Sequence, residues 1–381
     1  MAKILVAGDF CLNARMTSMM QQEVEEALQE IKPILQSVDY SLVNVECSVS
    51  NNHHLPISKC GPNLLNSSVI LDAINGLGFD AVTLANNHIA DFGHEAMIDT
   101  LTLLEERGLD YVGAGKNIAD ASKVLYKQID TKKIAFINCC EHEFTIATET
   151  IGGANPLNLP SIARDILAAK KCADYVIVII HGGPEHYNLP TPRMQDTYRF
   201  FVEMGADVVI NHHQHCYSGY EQYKGGYIVY GLGNFCFDSG KQGKSSWNEG
   251  YLAILDISEK IDVEFIPYVQ CVENPGLMLL SDTKEFKENF ENLSSIIKDP
   301  AKIQTKYSEF VNSKTEEYLY SFSLPQNRLM KRLKKMRLIS SKFSSEVLPH
   351  FLTKERQLLF RSYFQCESHR DLMRDILKKK Y

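Results

Sequence analysis

Seven short apolar runs punctuate the first 275 residues: KILVAGD (3–9), YSLVNVE (40–46), DAVTLAN (80–86), IAFINCC (134–140), DYVIVIIHGG (174–183), ADVVINHH (206–213) and GYIVYGLGNF (226–235). They are rich in Val and Ile and close on Gly, Asn, Asp or His, so they read as strands. Between them the apolar period lengthens. QQEVEEALQEIKPIL (21–35) repeats at Val24, Leu28 and Ile31, and AMIDTLTLLEERG (96–108) repeats at Met97, Leu101 and Leu104, with Gly108 placed to end the helix. Apolar strands alternating with helices predict an α/β core whose strands are buried on both faces. Past about residue 280 the strand signals fade. The stretches 284–299, 304–322, 327–343 and 367–380 read as helices. The pattern divides the chain into 1–275, an α/β domain, and 276–381, a helical C-terminal region.

Composition narrows the class. The 381 residues are 44% hydrophobic and 23% charged, which excludes a disordered or collagen-like chain. No run approaches the roughly 18 apolar residues of a membrane span, and MAKILVAGDF reads as a strand, not a secretion signal. Ten scattered cysteines form no CxxC pair, and reduced thiols are the expectation. A cytoplasmic protein is expected on these grounds. The net charge of -7 is unevenly spread: residues 325–381 hold 15 basic and 5 acidic side chains, leaving 25 basic and 42 acidic in the rest. A basic tail on an acidic body predicts an anionic partner for the tail. Nucleic acid is not that partner, because the body would repel phosphates.

Chemistry gathers where strands end. The polar set is Asp9, then Asn44 and Glu46, then Asn86, Asn87 and His88, then His181, then His212, His213 and His215. Open α/β sheets bind ligands beyond the carboxyl ends of their strands. If these strands are neighbours, two carboxylates, an amide and at least three imidazoles converge. That donor mix suits Zn, Mn or Fe, and it is large enough for two divalent ions. Glu141, His142 and Glu143 follow a strand and are further candidates to line a cleft. Neither a Gly-x-Ser-x-Gly elbow nor a phosphate loop ending in Lys-Ser/Thr occurs, which counts against a serine hydrolase and a P-loop ligase.

The ordered segments AGDF (7–10), NVE (44–46), KCGPNLL (59–65), LANNHIADFG (84–93), GAG (113–115), HGGPE (181–185), GADVVINHHQH (205–215) and YGLGNF (230–235) resemble the bacterial capsule synthesis protein family, CapA, linked to poly-gamma-glutamate and capsule polysaccharide production. That family is similar to the calcineurin-like metallophosphoesterases. The resemblance implies a four-layer α-β-β-α sandwich with a helical C-terminal extension, which periodicity alone does not. It implies metal ligands at Asp9, Glu46, Asn87, His181, His213 and His215, with Glu46 in the bridging position. It implies that His88 contacts substrate and assists leaving-group protonation. Two positions depart from the phosphoesterase pattern: Cys11 stands where a histidine is usual, and Asn211 where a glycine is usual.

Two cations held close together would activate a water and clamp the attacking and leaving oxygens. His88 is then the proton donor, and Glu185 orients a ligand or serves as a second base. Asn44, Lys59, Asn86, His212 and Asn234 are the candidates for holding substrate, with Lys59 offsetting a phosphate or carboxylate charge. The leading expectation is a metal-dependent hydrolase of phosphoester, amide or ester bonds, acting on an anionic surface polymer or its precursor. The alternative is a non-catalytic accessory subunit of a capsule assembly machine with a structural metal. In the tail, Leu329, Leu333 and Met336 form an apolar stripe between Arg328, Lys331, Arg332, Lys334, Lys335 and Arg337. Such a helix would lie on an anionic membrane surface, peripheral at the inner face, or on a capsule-assembly partner; docking on the body is the other reading.

Overall fold

Only Lys3 is exposed in the run AKILVAGDFC. A strand so apolar must be covered on both faces, and the chain supplies a cover on each side. The computed structural model describes residues 2–323 together with 336, 360 and 364. In chain order the main strands are β1 (Ala2–Cys11), β2 (Tyr40–Val45), β3 (Ala81–Thr83), β4 (Asp110–Val112), β5 (Leu125–Ile129), β6 (Lys132–Cys140) and β7 (Tyr175–His181). They continue with β8 (Val208–His212), β9 (Tyr220–Tyr223), β10 (Gly226–Val229), β11 (Asn234–Phe237), β12 (Glu249–Ile257), β13 (Ile261–Gln270) and β14 (Leu277–Leu279). The longer helices are α1 (Gln21–Ala27), α2 (Val69–Leu77), α3 (Gly93–Arg107), α4 (Leu159–Ala169), α5 (Pro192–Glu203), α6 (Lys284–Ile297) and α7 (Pro300–Ser323).

The strands form two sheets. One has eight strands in the order β14-β13-β12-β1-β2-β3-β4, with β11 also paired to β1; the other has six, in the order β9-β10-β8-β7-β6-β5. Ile4, Val6 and Leu42 of the first sheet share one buried cluster with Phe136, Ile177, Ile179 and Ile210 of the second, so the sheets stack face to face. The outer face of the first sheet carries Leu5, Val43 and Val82 against Val24 of α1, Ile70 and Ile74 of α2, and Met97 and Leu101 of α3. Helices α4 and α5 pack on β6, β8 and β10 of the second. The four layers are therefore α-β-β-α. Strand periodicity alone predicts an α/β core and does not sort its strands into two sheets. A strand buried on both faces reads the same in sequence whether a helix or another sheet covers it.

Three local findings differ from the pattern. The run 226–235 is two strands: β10 belongs to the six-stranded sheet and β11 to the eight-stranded one. Gly233, with φ +78, makes the crossing, and a Cβ there would meet the Glu249 carbonyl at 2.5 Å. The stretch 21–35 is α1 followed by a 3-10 turn, Gln29–Ile31, and a short helix, Lys32–Leu35, with Pro33 in its first turn. The hairpin β12–β13 was not expected as strands. Its outer half alternates in burial, with Asp262 and Glu264 exposed between Ile261, Val263 and Phe265, and that period of two was the available signal. Gly108 ends α3 in the left-handed region, as expected.

The first compact unit runs Met1–Ile303, past the boundary at 275. The reason is α6. Its Phe290 lies 4.7 Å from Phe265 and 5.3 Å from Tyr251, and Phe286 lies 5.3 Å from Tyr217. Such ring pairs contribute about 0.5–1.5 kcal/mol each beyond area burial. A second unit begins at Gln304, where α7 continues to Ser323. The basic tail and the helices expected at 327–343 and 367–380 lie outside the described residues, save 336, 360 and 364. Among the described residues no helix is long and apolar enough to cross a membrane.

Candidate metal centre

The parallel strands of both sheets point their carboxyl ends to one place. From the eight-stranded sheet, β1 supplies Asp9, the end of β2 supplies Asn44 and Glu46, and the turn after β3 supplies Asn86, Asn87 and His88. From the six-stranded sheet, β7 ends at His181, opposite His212 at the end of β8, and the following turn supplies His213 and His215. Close approach is what Gly8 provides: a Cβ there would sit 1.9 Å from the Gly233 carbonyl oxygen. His213 and His215 hold φ of +87 and +54, a left-handed backbone that costs about 1–3 kcal/mol per residue and persists only where the surroundings impose it. Asn211 restrains the strand end just before them. Its amide donates to the carbonyls of Gly182 (2.9 Å) and His212 (2.8 Å), and its oxygen accepts from the Tyr198 hydroxyl at 2.6 Å.

Around His181 Nε2 stand Asn87 Oδ1 and His213 Nδ1, each at 3.0 Å, and Glu46 Oε1 at 3.3 Å. One ring nitrogen carries at most one hydrogen, so it satisfies at most one of these three neighbours. Glu46 Oε1 is also 3.8 Å from His215 Nε2 and 4.0 Å from His88 Nε2. Among the described residues, both oxygens of Glu46 and both ring nitrogens of His212 are buried without a hydrogen-bond partner. Orphaned buried acceptors are costly. A cation among them removes that cost, so the donor set fits a divalent metal. Three groups have ligand atoms within 4.8 Å of one another: Glu46 with His181 and His213, Asp9 with Glu46 and His215, and Glu185 with His213 and His215.

Charge follows the same geometry. Burial pushes the Glu46 carboxyl well up, and the Asp9 and Glu185 carboxylates add to it. Burial opposes the Asp9 charge too, yet His212, His181 and His215 around it hold that carboxyl well below the usual range. Burial, with His213 beside it, drives His181 well down. His215 is pushed down to about 4 by burial, against the pull of Asp9. His181 and His215 are thus held neutral, the form that ligates metal. The departure at Cys11 is structural: its buried thiol is raised by the contact with Cys47 and by burial. Among the described residues, the sets of potential ligands contain no cysteine.

Four expected substrate contacts stand behind the donors instead of in the cleft. Asn44, Asn86, His212 and Asn234 are at most 2% exposed. Asn44 donates to Asp9 Oδ1 at 2.6 Å and accepts from Thr83 and Asn86. Asn86 donates to the Val45 carbonyl and accepts the His88 N–H. Asn234 Oδ1 lies 2.8 Å from His215 Nδ1, and its amide donates to the Trp247 carbonyl. His212 Nδ1 lies 3.5 Å from Asp9 Oδ1. The side-chain polar atoms of the three asparagines are taken up by these neighbours, whereas the ring nitrogens of His212 are not. Lys59 does border a cavity, of about 540 Å³, together with Asn87, His88, Glu143, Phe144 and Glu185. Its ammonium, however, is paired with Asp91. His142 and Glu143 line the same cavity, whereas Glu141 pairs with Arg193 and accepts the Gly183 N–H.

Sequence reasoning missed Asp91 and Trp247, and it noted Asn211 without giving it a role. Asp91 was findable as a carboxylate three residues after His88 in the same motif. Trp247, whose ring centroid is 4.5 Å from that of His215, comes from a turn with no periodic signal.

A two-sheet sandwich whose strand ends gather carboxylates, an amide and imidazoles around orphaned acceptors defines a candidate metal centre. The chain belongs to the family described as bacterial capsule synthesis protein PGA_cap, which it matches over residues 3–239. It is 33% identical over 220 residues to "Capsule biosynthesis protein CapA" of Bacillus anthracis, covering 56% of this chain and 54% of that protein. It is 31% identical over 238 residues to "PGA biosynthesis protein CapA" of Bacillus subtilis (strain 168), covering 61% and 62%. The chain therefore spans just over half to three-fifths of the length of these relatives. A solved structure described as a novel phosphatase from Mycoplasma pneumoniae aligns with 77% of this chain and 98% of its own at 16% identity, with a TM-score of 0.45. A likeness at that level carries no argument, and the layers described above rest on strand pairing and packing.

Proposed function

We propose that this protein is a metal-dependent hydrolase acting in capsule or surface-polymer synthesis, on a phosphoester, amide or ester bond of an anionic polymer or its precursor. The observation that carries the reading is the cavity of about 540 Å³, which reaches His88, Asn87 and Glu185 beside buried acceptors that have no partner. A structural metal site is closed by protein ligands, whereas a catalytic one keeps a position open. Asp9, Glu46, Asn87, His181, His213 and His215 would hold two divalent ions, with Glu185 at the open side. A cation held there supplies Lewis acidity, polarising a substrate oxygen and making water nucleophilic at neutral pH.

The remaining work belongs to side chains of this chain. Asn44, Asn234 and Asn211 fix the ligands, so little reorganisation is left for the reaction. His88 borders the cavity with Nε2 toward Glu46, and it gives the proton that the leaving oxygen or nitrogen needs. Glu185 is half exposed and accepts or aligns a proton at the cavity mouth. The relatives' names speak of capsule and PGA biosynthesis, and they supply the polymer in this proposal. The +10 balance of residues 325–381 supports an anionic membrane surface or an assembly partner for the tail, and a cytoplasmic place at the inner face.

The test is elemental analysis of the purified protein and of His213→Ala, with release of phosphate or p-nitrophenol from generic esters and amides. Close to two ions per chain, lost together with turnover in the variant, is the expected result. A metal that binds with every position filled by protein, and no turnover, would make the centre structural and the protein an accessory subunit.

A further inference from the structure

Three sulfurs meet in the core, apart from the histidine cluster. Cys236 lies on β11, Cys271 directly follows β13, and Met16 closes the 3-10 turn Ala14–Met16. Met16 and Cys236 are 0% exposed and Cys271 is 1% exposed. Cys236 Sγ lies 3.4 Å from Met16 Sδ and 3.7 Å from Cys271 Sγ, and Cys271 Sγ lies 3.7 Å from Met16 Sδ. Segments far apart in sequence thus contribute the corners of a nearly equilateral triangle. Among the described residues, no corner belongs to the donor groups of the candidate metal centre.

Hydrogens are too few for these contacts. Each thiol carries one and the thioether none, so at most two of the three sulfur–sulfur contacts are hydrogen bonds. The middle of such a triangle is roughly 2 Å from each sulfur, close to the ~2.3 Å of a metal–thiolate bond. One ion there would turn all three contacts into bonds after a small outward movement. The oxygens nearby are already committed. Both oxygens of Asp238 accept from Arg15, and Oδ1 also accepts the Gly240 N–H. The Cys271 carbonyl accepts from Arg15 at 2.7 Å and from the Asn248 amide at 3.3 Å, and Gln270 Oε1 accepts the Phe237 N–H. Thiolate and thioether donors without oxygen select a soft ion, and three donors suit copper(I) better than tetrahedral zinc. Cys271 holds a φ of +50, a left-handed backbone that persists only where the surroundings impose it. Contact with Cys236 holds the Cys271 thiol below its usual range, which favours the thiolate that a metal takes.

We infer that Met16, Cys236 and Cys271 form a second metal site, one that takes copper(I) and is separate from the candidate divalent centre. Binding forms three copper–sulfur bonds and releases the thiol protons to solvent, with no change in oxidation state. The ion ties together the turn after β1, strand β11 and the end of β13. The test is an anaerobic titration of the reduced full chain with copper(I) held in a competing chelator, followed by X-ray absorption at the copper edge. Wild type is expected to bind an ion that Cys236→Ala and Cys271→Ala hold about 100-fold more weakly or worse, beyond what a lost outer-shell partner costs. Its spectrum should show three sulfurs around copper. Met16→Leu conserves volume, so it should fold and leave two sulfurs. His213→Ala should bind copper(I) as wild type does.

A reduced wild type that takes up no more copper(I) than Cys236→Ala would overturn the inference, because the sulfurs would then be core packing alone. A three-sulfur shell that is unchanged in Met16→Leu would overturn it too, since other cysteines would be holding the ion. Copper(I) lost in His213→Ala would place the ion among the histidines and refute the second site. If the cysteine variants do not fold, Met16→Leu and His213→Ala carry the measurement between them. None of these outcomes depends on turnover, so the hydrolase reading stands or falls separately.

Discussion

Two sides of the same cleft are built on opposite principles. At the floor, Glu46 and His212 have four buried polar atoms with no hydrogen-bond partner among the described residues. At the wall, Lys59, Asp91 and His88 are equally buried, and every charge has its counterpart. The first arrangement leaves room for a ligand to complete it, and the second fixes geometry. Burial alone does not separate binding groups from positioning groups; satisfaction does.

The largest break in that contrast is expected from Glu46→Gln. It should cost at least one cation and about 1,000-fold in turnover, on the scale of about 4 kcal/mol. Stability of the chelated protein should hold or rise, because the buried acid is replaced by a neutral amide. Elemental analysis beside thermal unfolding reads both, and retained metal would remove Glu46 from the ligand set. His88→Gln is expected to keep its ions and lose about 100-fold in kcat; metal loss instead would move His88 from the wall to the floor.

Next comes Asn211→Ala, which leaves the Tyr198 hydroxyl and the Gly182 carbonyl without their partner. Each such orphan costs about 1–3 kcal/mol, and the left-handed histidines lose their restraint. Denaturant unfolding should show a loss of about 2–3 kcal/mol. An unchanged midpoint would mean that the strain is held elsewhere.

The smallest effect is a drift of stability with pH in chelated protein. The Glu46 value is raised on folding, so its contribution is complete below the ordinary carboxylate range and is lost as pH climbs through the raised value. His181 and His215 are lowered, so theirs is complete above the ordinary imidazole value and is lost in acid. Above the ordinary imidazole value only the Glu46 loss acts among these groups, so stability falls as pH rises toward the raised Glu46 value. The drift should vanish in Glu46→Gln and on adding the cation. A chelated wild type whose stability does not fall as pH rises above the ordinary carboxylate range would refute it.

The strand ends were legible in sequence because most of the apolar runs stop at polar residues, and Asp9, Glu46, Asn87, His181, His213 and His215 do meet. The sorting of strands into two sheets was not legible from the pattern. It depends on which buried face meets a helix, and Val or Ile serves either. The crossing at Gly231–Gly233 was hidden inside one continuous apolar run. The roles of Asn44, Asn86 and Asn234 were hidden for another reason: an asparagine that orients a ligand and one that grips a substrate are written with the same letter. Only their burial and their partners tell them apart.

The segment that leaves one sheet at Val229 and joins the other at Asn234 makes the two sheets halves of one lock. Asp9, Glu46 and Asn87 ride on one half; His181, His213 and His215 ride on the other or on its turns. Neither half alone assembles the full donor set. A cation that needs the full set would therefore bind only once the two sheets have docked.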